Sequence, residues 1–85
     1  MKIENVKAVI TGAGSGLGEG TARYLKNKGA EVLLIDLNAD GLKKVADELN
    51  CKYVVGDVSN EEEMKKAIDD FNGINCLVNC AGIAV

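Results

Sequence analysis

Apolar residues fall in four short runs, VKAVIT (6–11), EVLLID (31–36), KYVVG (52–56) and NCLVN (75–79), and between the runs they recur at helical spacing. Runs so short, nearly unbroken and rich in Val, Ile and Leu predict strands buried on both faces of a sheet. The first intervening segment predicts a helix from about Gly16 to Lys28, with Lys26 and Lys28 complementing the dipole in its last turn and Gly29 placed for a left-handed stop. In the second, Leu42, Val45, Ala46 and Leu49 share one helical face behind an N-cap at Asn38. The third places Met64, Ala67, Ile68 and Phe71 on one face, with Ser59 and Glu62 spaced as a capping box and Gly73 as the stop.

Strands and helices therefore alternate from end to end, with no linker or repeat between them, which predicts βαβ units around a parallel sheet. Right-handed crossovers make 3-2-1-4 the expected strand order. In that order the sheet reverses its direction of growth between the first and fourth strands. The reversal opens a crevice at the carboxyl ends of the strands, the place where open α/β sheets bind ligands.

Composition narrows the reading further. At 85 residues the chain is at most one small domain, and a chain of this size buries only roughly 60–65% of its unfolded surface. The net charge is −3, with lysines interleaved among acids, so no basic stripe is available to follow a phosphate backbone, which argues against nucleic acid. The apolar runs are far shorter than the roughly 20 residues of a membrane helix, and MKIENVKAVI lacks the apolar core of a signal peptide. Cys51, Cys76 and Cys80 are odd in number and no His accompanies them, which argues against a disulfide framework and a zinc site and predicts small core hydrophobes. A cytoplasmic or other reducing compartment is expected.

Candidate chemistry centres on TGAGSGLGEG (11–20), which holds five of the ten glycines directly behind the first strand. A tight strand-to-helix turn presents the free amides and positive dipole end of a helix to an anion, and a Cβ would hold a pyrophosphate away from the backbone. An ordinary turn needs only one or two glycines. The spacing does not meet Gly-x-Gly-x-x-Gly, since Leu17 occupies the third position, and no Gly-Lys-Ser/Thr follows as in a Walker loop. It does fit Thr11-Gly12-x-x-x-Gly16-x-Gly18, and here the sequence resembles the short-chain dehydrogenase/reductase family.

Three further features follow in the order that resemblance implies. Asp36 ends the second strand 24 residues after Gly12, near the offset at which an acid takes ribose hydroxyls. Gly56-Asp57-Val58 ends the third, where the family's Asp meets the adenine amine and the next residue's backbone assists. Asn79-Cys80-Ala81-Gly82 ends the fourth, with Cys80 in place of the family's second Asn. The resemblance implies a Rossmann-like three-layer α/β fold, here an incomplete half of a larger doubly wound domain. It also implies cofactor contacts at Gly12, Ser15, Gly16, Leu17, Gly18, Asp36, Leu37, Asp57, Val58, Asn79, Cys80, Ala81 and Gly82. Each has a plainer role beside it: Asp57 as a turn or N-cap residue, Asn79 as a tie between strands, Leu17 as the first core residue of its helix.

NAD rather than NADP is expected. A 2′-phosphate needs an Arg or Lys, which the family commonly supplies at the positions of Ser15 or Leu37, and Asp36 would repel it. Within the family, AVITGAGSGLG and VNCAGIAV resemble the branch that oxidises 3-hydroxyacyl-CoA thioesters with NAD.

The family's proton transfer uses a Ser and a Tyr-x-x-x-Lys downstream of the Asn-Asn-Ala-Gly segment, with Lys lowering the Tyr pKa. The 85 residues stop before these. Tyr24-x-x-x-Lys28 matches by letter but lies in the first helix, where Tyr24 packs or snorkels. The expectation is thus an N-terminal, NAD-binding fragment of an oxidoreductase whose parent is a homo-oligomer, inactive alone and prone to self-association along the unpaired fourth strand. A stand-alone or engineered nucleotide-binding module remains the alternative. A methyltransferase-like protein is a third reading, disfavoured by Thr11 where an acid would precede the loop.

Overall fold

The computed structural model describes residues 3–14, 16–57 and 59–80. A short 3-10 turn at Ile3–Asn5 leads into β1 (Lys7–Thr11), α1 (Gly16–Asn27), β2 (Glu31–Asp36), α2 (Ala39–Leu49), β3 (Lys52–Val55), α3 (Glu61–Phe71) and β4 (Cys76–Asn79). The strands form one sheet in the order β3-β2-β1-β4, every pair parallel, as the alternating pattern predicts. Val9 sits opposite Leu33 on one side and Leu77 on the other, so β1 is central.

Side-chain alternation sorts the sheet into two cores. Ala8, Ile10, Val32 and Leu34 meet Ala22 of α1 and Leu42, Val45 and Ala46 of α2. On the opposite face Val9, Leu33 and Ile35 meet Ala67 and Phe71 of α3. This is the three-layer Rossmann-like arrangement, with β1 and β2 buried on both faces.

The outer strands depart from that expectation. Leu77 is 61% exposed, because α3 lies over β1 and β2 and leaves the same face of β4 uncovered. On β3, Tyr53 and Val55 also remain exposed. The cysteines are free thiols; Cys51 and Cys76 pack against the first core, and burial pushes the Cys51 thiol up.

Helix ends follow their caps. Gly29, at φ +97°, closes α1, with the Ala30 N–H donating to Leu25 O at 3.0 Å. Asn38 caps α2 as predicted, its Oδ1 accepting from Gly41 N–H at 3.2 Å. The start of α3 corrects the sequence reading by one residue: Asn60, not Ser59, is the N-cap, and its Oδ1 accepts from Glu63 N–H at 3.1 Å. Ser59 is diverted because Asp57 engages both its amide and its hydroxyl.

Candidate functional site

The glycine stretch turns from β1 into α1 at the carboxyl end of the sheet, with positive φ at Gly12 (68°) and Gly16 (61°). The first turn of α1 lies hard against the strand end. A Cβ on Gly18 would stand 2.0 Å from Gly12 O and 2.6 Å from its carbonyl carbon, closer than atoms can approach. The unpaired amides at the start of the 12-residue α1 therefore open beside β1, where its dipole favours an anion.

Asp36 borders that turn. Its Oδ2 accepts from Gly14 N–H at 2.8 Å and its Oδ1 from Asn38 N–H at 3.1 Å, so the carboxylate is fixed between the glycine stretch and the start of α2. A Cβ on Gly14 would lie 2.8 Å from Asp36 Oδ2 and push the carboxylate off this bond. Sequence spacing assigned no role to Gly14; the offset from Asp36 was visible, but the amide that receives its carboxylate was not. Leu37 follows at 67% exposure. Leu17 is 65% exposed, which corrects the expectation that it begins the helix core: the first turn of α1 lies at the carboxyl end of the sheet, where no layer among the described residues covers this side chain.

The third strand end is tied to the second, with Gly56 N–H donating to the Asp36 carbonyl at 3.0 Å. Asp57 Oδ1 then accepts from Ser59 N–H at 2.8 Å and from the Ser59 hydroxyl at 2.7 Å, while Asp57 N–H donates to Glu63 Oε2 at 3.1 Å. Glu63 escaped the sequence reading, which placed the capping carboxylate at Glu62. At the fourth strand end the buried Thr11 hydroxyl donates to Asn79 Oδ1 at 2.8 Å, and Cys80 N–H donates to Thr11 O at 3.2 Å. Asn79 thus ties β4 to β1, in keeping with its plainer role. The half-buried Cys80 is brought beside the glycine stretch through Thr11. Ser15, Val58, Ala81 and Gly82 lie outside the described residues. Tyr24 is exposed, with Lys28 Nζ 5.9 Å from its ring centroid.

Ser59, through its side chain and then its amide, holds the Asp57 carboxyl below the usual carboxylate range, and Arg23 does the same for Glu48 across α1 and α2. A carboxyl whose pKa is lowered by folding stabilises above its unfolded pKa, and that gain is lost as pH falls through the folded value. Urea unfolding midpoints should therefore hold steady from about pH 7 to about pH 5 and decline below about pH 4. A midpoint that climbs on acidification would contradict these assignments.

Among the described residues, no helix is long and apolar enough to cross a membrane. A parallel sheet in this order, with a glycine-rich turn after its central strand and an acid ending the next, defines the open α/β class whose ligands bind at the carboxyl ends of the strands. Within that class, residues 6–85 match the short chain dehydrogenase family, and the chain belongs to it. It is 45% identical over 82 residues to an uncharacterised oxidoreductase of Staphylococcus aureus, covering 88% of this chain and 36% of that protein. It is 39% identical over 89 residues to the human 3-hydroxyacyl-CoA dehydrogenase type-2, covering 98% of this chain and 34% of that one. The crystal structure of 3-ketoacyl-(acyl-carrier-protein) reductase from Brucella melitensis, complexed with NADH, matches with a TM-score of 0.78 at 34% identity, covering 88% of this chain and 33% of that one. The chain spans about a third of the length of these relatives.

Proposed function

We propose that these 85 residues are the N-terminal NAD-binding portion of a short-chain dehydrogenase/reductase, whose whole reaction is NAD-dependent oxidation of a secondary alcohol such as a 3-hydroxyacyl-CoA. The observation that carries the reading is the Asp36 carboxylate, fixed by the Gly14 amide at the edge of the glycine turn. The residues present fit a dinucleotide. The close approach at Gly18 demands a residue with no Cβ where the turn would meet a pyrophosphate, an acid stands ready for ribose hydroxyls, and Leu17 and Leu37 hold apolar surface out at the same end of the sheet.

In this reading Gly12, Ser15, Gly16, Leu17 and Gly18 hold the pyrophosphate and Asp36 accepts from the adenosine ribose. Leu37, Asp57 and Val58 surround the adenine, and Asn79, Cys80, Ala81 and Gly82 line the path toward the nicotinamide. The bound cofactor supplies a hydride acceptor. Asp36, with neither Ser15 nor Leu37 basic, disfavours a 2′-phosphate. In the whole reaction proton transfer falls to the family's Ser and Tyr-x-x-x-Lys, and β4, the outer strand beside β1 among the described residues, offers an edge at which another strand can pair. The similarity to the human 3-hydroxyacyl-CoA dehydrogenase type-2 and to an NADH-bound reductase supports the choice of substrate and cofactor.

Calorimetric titration tests it. NAD is expected to bind at least roughly tenfold more tightly than NADP, a difference of about 1.4 kcal/mol. Equal affinities would overturn the choice of NAD, and preference for S-adenosylmethionine would overturn the reading as a whole.

A further inference from the structure

Asp57 has two oxygens, and the fold treats them differently. Oδ1 takes both the amide and the hydroxyl of Ser59, whereas no donor among the described residues reaches Oδ2. The Asp57 backbone is pinned as well, by its own N–H to Glu63 Oε2 and by the bond from Gly56 to β2. A carboxylate restrained through one oxygen keeps the other aimed in one direction and loses little freedom when it binds a donor. Asp57 is half-buried and Ser59 and Glu63 are exposed, so stability alone gives little reason for two bonds on one carboxylate oxygen.

We infer that Ser59 is a positioning residue for cofactor selection: its hydroxyl fixes Asp57 so that the free oxygen accepts from the exocyclic amine of an adenine base. The inference rests on the proposed placement of adenine beside Asp57. It adds that discrimination among bases depends on Ser59, a side chain that does not touch the cofactor.

The probe is NAD against its hypoxanthine analogue, in which a carbonyl oxygen replaces the amine and faces the carboxylate unfavourably. Wild-type protein should prefer NAD. Ser59→Ala removes only the hydroxyl bond and leaves the Ser59 amide on Asp57, so it should shrink that preference about 3- to 10-fold, the range of one ordinary hydrogen bond and less than the loss of one made directly to a charged group. It should leave affinity for the hypoxanthine analogue nearly unchanged, and Ser59→Thr should restore the preference. Should alanine loosen the start of α3 in circular dichroism, Ser59→Thr and Ser59→Val, equal in shape, ask the same question of the hydroxyl. A folded Ser59→Ala protein with the wild-type preference overturns the inference. So does a wild-type protein that binds both dinucleotides equally, although NAD binding itself then stands. Absence of NAD binding overturns the proposed function and this inference with it.

Discussion

Gly18→Ala should abolish detectable NAD binding and destabilise the fold, although alanine is the better helix former. Overpacking of a filled site costs about 1–3 kcal/mol and occasionally more. Here the added carbon meets the backbone carbonyl of Gly12 at 2.0 Å, which no rotamer change relieves. Against this stands a propensity gain of about 1 kcal/mol, so a net loss of roughly 2 kcal/mol is expected from the upper part of that range. The same helix contains its own control. Gly20 has no atom within 4 Å of a built Cβ, and Gly20→Ala should stabilise by about 0.4–1 kcal/mol with cofactor affinity intact. Urea midpoints and calorimetry on the pair read both effects. If the two substitutions shift stability in the same direction, the close packing of α1 on the end of β1 is wrong.

Asp36→Ala carries the second large effect. Charge-assisted hydrogen bonds are worth about 1.5–3 kcal/mol, so losing them to the ribose should weaken NAD roughly 10- to 150-fold. NADP should lose much less, because the repulsion of its phosphate goes with the carboxylate, and the margin between the cofactors narrows. Alanine also strands the buried Gly14 amide, which donates to this carboxylate, at a further cost of about 1–3 kcal/mol in stability. Asp36→Asn separates the two roles: an acceptor for Gly14 remains while the charge is gone. That variant should keep most of its stability and still lose selectivity. Unchanged selectivity in both would remove Asp36 from the site.

The sheet was legible because parallel strands under helices must be apolar almost continuously, and such runs as EVLLID leave little alternative. Asp36 was legible from its offset after Gly12, and Asp57 from the family resemblance. What escaped depended on tertiary neighbours. Ser59 and Asn60 are both competent caps, with Glu61, Glu62 and Glu63 behind them; the Asp57 carboxylate, by engaging Ser59, selects Asn60. Leu17 falls at helical spacing, yet it is exposed on the side of the first turn of α1 that faces away from Gly18 and the end of β1. Gly14 satisfies no phosphate-loop spacing, because its demand comes from Asp36, 22 residues away. Periodicity likewise gives β4 an apolar face without saying whether a helix covers it.

The bonds that hold the central strand on its β4 side join residues nearly 70 positions apart, Thr11 to Asn79 and Lys7 to Asn75 among them. Contacts of such separation form late and slowly. During synthesis, β1, β2 and β3 with their helices can assemble while β1 still lacks a neighbour on one side. The strand that bears the glycine turn is thus the last to be sealed, and an emerging chain carries an open β1 edge until residues 76–79 clear the ribosome. Aggregation during that interval, rather than instability of the finished sheet, is the hazard that this topology builds in.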